Sequence, residues 1–124
     1  MNLMEYQGKE LFRRVGIPVP RSSHAPTAQH VADYLKSEAD EWVVKAQVLM
    51  GGRGKAGKIK FASGSEEGRA VAENILATPM PPNRQNPNGE PIKSLLVEEK
   101  LPIEKEAYCA IAIDRAHKKP VIMV

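Results

Sequence analysis

From Gly51 to Lys60 the chain reads GGRGKAGKIK, in which four glycines are interleaved with Arg53, Lys55 and Lys58. Glycine lets a backbone come close to an anion, so successive N–H groups can turn toward phosphate oxygens. The three cations would add positive charge where a triphosphate lies. Two phosphate-binding patterns overlap on these residues: Gly52, Gly54 and Gly57 spell GxGxxG, and Gly52 to Lys58 spells GxxxxGK. Neither survives its context. A P-loop needs Ser or Thr for Mg²⁺ where Ile59 stands. Both it and the dinucleotide fold need a helix next, whereas Ile59 and Phe61 alternate with Lys58 and Lys60 as a strand does. What remains is a basic glycine lid between two antiparallel strands, a geometry that covers ATP phosphates in protein kinases. A flexible hairpin tip is the plainer alternative.

Lys45 is the second chemical group, because it interrupts the apolar run Trp42, Val43, Val44, Ala46, Val48 just before the loop. Side chains alternate along a strand, so Lys45 and Gln47 share the face opposite Val44 and Ala46 and can look into a ligand cleft. A half-buried ammonium needs a counter-ion, and phosphate is the natural one. A solvated lysine on an edge strand is the alternative.

The elements that must hold these groups can be traced along the chain. A first helix is expected from Asn2 as N-cap with Glu5 in capping-box position, with Met4, Gly8, Leu11, Phe12 and Val15 on one face and Gly16 ending it. Pro18 and Pro20 force an extended segment after it. A second helix starts at Thr27, runs through Val31 and Leu35, and is expected beside the first. Strands at Trp42–Val48 and from Ile59 to Phe61 flank the glycine loop. Ser63 with Glu66 opens a third helix striped by Val71, Ala72, Ile75 and Leu76. Pro79 to Pro91, with five prolines and the pair Asn88 and Gly89, reads as an irregular connection. Ser94–Glu98 and the alternating Ala107, Cys109, Ile111 and Ile113 read as strands, and another begins at Pro120.

The 124 residues, 42% hydrophobic and 27% charged, suit one globular α/β (α+β) domain with a mixed sheet flanked by helices. Lys plus Arg outnumber Asp plus Glu by 18 to 15, and the formal +3 is spread rather than gathered in a basic arm, which argues against nucleic acid. The single cysteine, Cys109, is expected in the core and leaves no intrachain disulfide to form. No signal or transit peptide pattern opens the chain, and no run reaches the ~20 apolar residues a membrane span needs, so a cytoplasmic location is expected. His24, His30 and His117 read as surface or packing residues. Val124 falls inside a strand, so a truncated chain is expected.

Three ordered motifs, MNLMEYQGKELF, WVVKAQVLMGGRGKAGKIK and LLVEEKLPIEKEAYCAIAIDR, together resemble the opening of the succinyl-CoA synthetase (succinate-CoA ligase) β-subunit family. Malate-CoA ligase and ATP-citrate lyase have a similar opening. The resemblance implies an ATP-grasp fold, with residues 1–124 as its first subdomain. By the same resemblance Lys45 would contact nucleotide phosphate, and Gly52, Arg53 and Gly54 would form the lid. Glu98 would lie at the hinge that meets the base, Leu101 would offer a backbone contact to it, and Glu106 would bind the ribose hydroxyls. A carboxylate suits two adjacent hydroxyl donors. The implied ligands are ATP or GTP, and Mg²⁺ held by residues past Val124. The implied partner is an α subunit carrying the CoA site and a phosphohistidine, in a heterodimer or heterotetramer. The implied reaction joins a carboxylate to CoA through an acyl phosphate, a step of the tricarboxylic acid cycle. Apart from the resemblance, Glu98, Glu104 and Glu106 read as solvated strand charges. The alternative from another class is an RNA-binding module using the GGRGKAGK tip. The 5% aromatic content and the lack of aromatic alternation near the loop count against it.

Overall fold

Trp42, Val44 and Ala46 alternate with Val43 and Lys45, a period that only an extended chain turns into one apolar and one mixed face. In the computed structural model, which describes residues 2–38, 40–84 and 86–124, the elements are α1 (Glu5–Arg14), β1 (Ser22–Ala25), α2 (Ala28–Leu35), β2 (Glu41–Ala46), β3 (Ile59–Ser63), α3 (Gly64–Leu76), β4 (Leu95–Glu99), β5 (Ala110–Asp114) and β6 (Lys119–Met123). β1 to β4 form one sheet in the order β1-β4-β2-β3, and β5 and β6 form a separate hairpin. Every ladder is antiparallel, which refines the expected mixed sheet.

Register decides what each face holds. Val44 pairs with Val97 and Ala46 with Leu95, and these join Trp42, Ala62 and Ala25 in the core. Over that face lie α2, through Val31 and Leu35, and α3, through Ala72 and Ile75. On the other face Lys45 stands between Ile59 and Leu96, and Val43 between Phe61 and Glu98. Helix α1 crosses this second face, where Glu5 and Lys9 reach Lys45 and Glu98.

The expected strands around the glycine loop and the third helix are present. Thr27 caps α2, its Oγ1 accepting from the His30 N–H at 3.3 Å. Several expectations are corrected. Met4, not Asn2, is the N-cap of α1, and Gln7 Oε1 accepts from the Met4 N–H at 2.9 Å, so Gln7 takes the capping-box place expected for Glu5. Glu5 is turned instead toward the sheet. No residue of α1 is buried; Leu11, Phe12 and Val15 stay exposed because the helix meets the sheet through its charged side. α2 packs on α3, not on α1. Glu67, rather than Glu66, accepts the Ser63 N–H, at 2.7 Å. β1 had no periodic signal: Ser22, Ser23, His24 and Ala25 form a strand because β4 offers them a ladder. β5 begins C-terminal to its expected start at Ala107, so Cys109 precedes it and is exposed instead of packing in the core, whereas β6 begins at Lys119, one residue before the expected Pro120. No helix among the described residues is long and apolar enough to cross a membrane.

The α2–α3 contact is closest at Gly68, where a Cβ would lie 2.6 Å from Leu35 Cδ1 and 3.3 Å from Val31 Cγ1. Gly68→Val should therefore cost about 1–3 kcal/mol of stability in urea titrations. An unchanged midpoint would contradict this packing.

Candidate functional site

The strand pair that the alternation required carries a loop with its own order. Within it Ala56, Gly57 and Lys58 donate backbone N–H groups to the carbonyls of Gly52 (3.0 Å), Gly54 (3.0 Å) and Arg53 (2.9 Å). Gly52 and Gly57 hold positive φ, 84° and 66°, which makes this tight curl accessible. The N–H groups of Gly52, Arg53 and Gly54 have no intrachain acceptor among the described residues, and the loop is exposed apart from Arg53, Ala56 and Lys58. These are donors that an anion can use.

Two clefts meet at the foot of this loop. One, of about 750 Å³, is lined by Glu5, Val48, Arg53 and the glycine loop from Met50 to Lys55. The other, of about 400 Å³, is mostly apolar and is lined by Val43, Ile59, Phe61, Leu101 and Ile103 with Lys45 and Glu98. Both include Ile59 in their walls. An apolar slot and a basic, glycine-rimmed one therefore lie side by side on the second face of the sheet, with Ile59 as their common wall.

At the junction sit two carboxylates and three cations. The Glu5 carboxylate lies 3.0 Å from Lys9 Nζ, 3.3 Å from Lys45 Nζ and 2.7 Å from Arg53 Nη2. Glu98, only 5% exposed, is held by Lys45 at 2.5 Å and by a short contact from Lys9. Arg53 also donates through Nη1 to the Ala46 carbonyl at 2.9 Å. Burial alone would raise the Glu5 pKa, but Lys45, Arg53 and Lys9 outweigh it and bring it to about 2. Burial lowers the Lys9 ammonium below the usual lysine range, against the opposing pull of Glu5.

The expected site residues are distributed unevenly. Lys45 faces the cleft side, as its parity required, but its counter-ions in this structure are Glu98 and Glu5. Gly52, Arg53 and Gly54 rim the basic cleft, and Leu101 and Glu98 line the apolar one. Glu106 lies exposed in the segment before β5 and lines neither cleft. Lys58 is corrected: it turns away from the clefts, is buried, and donates to the carbonyls of Ile75 (3.2 Å) and Thr78 (2.8 Å) at the end of α3. Its charge serves the C-terminal end of that helix rather than a ligand. Glu5 and Lys9 escaped sequence reasoning. Their i,i+4 spacing was a visible signal, but only the fold brings them to Lys45.

Residues 2–124 match the ATP-grasp domain family. The chain belongs to the ATP-grasp family. Among the curated relatives of this ATP-grasp chain, the ADP-forming succinate–CoA ligase subunit beta of Bacillus subtilis (strain 168) is 43% identical over 124 residues, covering 99% of this chain and 32% of that protein. The same-named subunit of a Nitratiruptor species is 43% identical over 126 residues with the same coverage. That of Chlorobium luteolum is 40% identical over 129 residues, covering 100% of this chain and 33% of its own. The ATP-grasp chain thus spans about a third of the length of these relatives. Among its described residues no group of three or more His, Cys, Asp or Glu is placed to hold a metal ion.

The depressed Glu5 pKa has a consequence with a definite sign. Its value is about 2 when folded against 4.5 as the reference, so its pairing stabilises the fold fully above about pH 4.5 and loses that effect as pH falls toward 2. The shift corresponds to a contribution of at most about 3 kcal/mol, less what solvent screening removes at the partly exposed carboxylate. The stability gap between the natural chain and Glu5→Gln should be widest near neutrality and close as urea titrations are repeated down to about pH 2.5. A gap that does not vary with pH would contradict the assignment.

Proposed function

We propose that residues 1–124 are the first ATP-grasp subdomain of an acid–CoA ligase β subunit and that they grip a nucleoside triphosphate, ATP or GTP. The observation that carries this reading is the adjacency of the two clefts: an apolar slot that includes Lys45 shares Ile59 with the cleft that holds Arg53 and the free amides of Gly52, Arg53 and Gly54. A nucleotide has the same order of parts, an apolar ring at one end and concentrated negative charge at the other.

In this reading the base enters between Val43, Ile59, Phe61 and Leu101, with the Leu101 backbone and Glu98 at the hinge. Lys45 and Arg53 neutralise phosphate charge, and the amides of the loop supply short donors that cost little reorganisation. Glu106 would receive the ribose hydroxyls once the segment around it closes on the ligand. These residues bind and orient; none is placed to form or break a bond. They also offer no ligand set for Mg²⁺, whose ligands belong to residues outside 1–124 in this proposal.

The 40–44% identities to ADP-forming succinate–CoA ligase β subunits favour succinate as the activated acid, with malate–CoA ligase as the near alternative. An α subunit carrying the CoA site and a phosphohistidine completes the enzyme, in a heterodimer or heterotetramer located in the cytoplasm. Against the contrasting proposal, a basic tip that grips RNA, no aromatic side chain is among the described residues that line the glycine-loop cleft.

Calorimetry with ATP separates these cases. The natural chain should bind ATP, and Lys45→Ala and Arg53→Ala should each weaken it about tenfold, the scale of one charge-assisted contact. Unchanged affinity in both variants, or an RNA affinity that ATP cannot compete away, would overturn the proposal.

A further inference from the structure

Helix α1 is the least expected part of the site. Its first turn is fastened twice, by the Gln7 side chain closing on the Met4 N–H at 2.9 Å and by the Tyr6 N–H donating to Gln47 Oε1 at 3.1 Å. Gln47 is itself buried and continues the β2 chain into the loop, so the helix start and the loop start are held together. From that fixed turn Glu5 projects between the strand cation and the loop cation. One carboxylate therefore connects a helix to a strand and a glycine loop that lie 40 or more residues further along the sequence.

The donors left over are informative. The Lys45 ammonium has three N–H groups and uses two, on Glu98 and Glu5. Of the five N–H groups of the Arg53 guanidinium, one on Nη1 donates to the Ala46 carbonyl while Nη2 is ion-paired with Glu5 at 2.7 Å, so that Nε–H and the second Nη1 N–H have no partner among the described residues. Both cations are thus anchored from one side by carboxylate and keep a donor for something else. An exposed lysine or arginine lacks such anchoring and would lose considerable side-chain freedom on meeting a ligand.

We infer that Glu5 is a positioning residue for nucleotide phosphate: it fixes Lys45 and Arg53 in one arrangement and ties the glycine loop to α1, without touching the ligand. This inference rests on the nucleotide proposal above and adds the group that prepares the phosphate end of the site.

The test compares ATP with adenosine, which shares the base and lacks the phosphates, on the natural chain, Glu5→Gln and Glu5→Asp. Glu5→Gln should weaken ATP about tenfold and leave adenosine unchanged. Glu5→Asp, which keeps the charge but shortens the reach, should show a smaller loss, again for ATP only; it carries the test if Glu5→Gln does not fold. ATP affinity unchanged or improved in the folded variants, or an equal loss for adenosine, would overturn the positioning role. Failure of the natural chain to bind ATP would instead sink the nucleotide proposal on which it stands.

Discussion

A half-buried set of charges, Glu5 and Glu98 against Lys9, Lys45 and Arg53, is the constraint around which this domain is arranged. Removing ionised groups from water is costly unless each finds an opposite charge and hydrogen bonds, so none of these side chains could occupy the second sheet face alone. Each of the five has at least one partner from another element. The contacts run from α1 to β2, β4 and the glycine loop, and thereby place a short helix that buries no residue of its own. Three cations against two carboxylates also leave the cluster with an excess of one positive charge, facing the cleft that the loop rims.

The antiparallel register divides the chemistry from the stability. One face of the sheet is given to Trp42, Val44, Ala46, Leu95 and Val97 under α2 and α3, a dry core that contributes cohesion. The other face carries Lys45, Glu98, Ile59 and Phe61, which the ladders bring side by side from strands distant in sequence. A shift of one residue in β2 would exchange these sets, bury the lysine in the apolar layer and expose the valines. The buried core thus sets the side on which the clefts open.

Much of this was legible in the residues. The parity of Lys45 against Val44 and Ala46 placed it on the cleft face, and the strand-like alternation after Gly57 excluded a P-loop. Helices α2 and α3 followed from capping residues and period. What escaped was non-local. β1 exists because β4 pairs with it, not because Ser22 to Ala25 favour a strand. Lys58 lies among the basic loop residues in sequence, yet the turn of β3 aims it at the open carbonyls of α3. Leu11, Phe12 and Val15 have helical spacing toward a core they do not reach, since the attraction of Glu5 and Lys9 to the sheet sets how α1 lies. Periodicity reports which residues share a face; it does not report what that face will meet.

Amide chemical shifts recorded during titration with ATP and, separately, with adenosine test the central claim most directly, because they locate base and phosphate independently. Both ligands should move Val43, Ile59 and Leu101, while only ATP should move Gly52, Arg53 and Gly54. ATP shifts that leave the glycine loop unmoved would contradict the account.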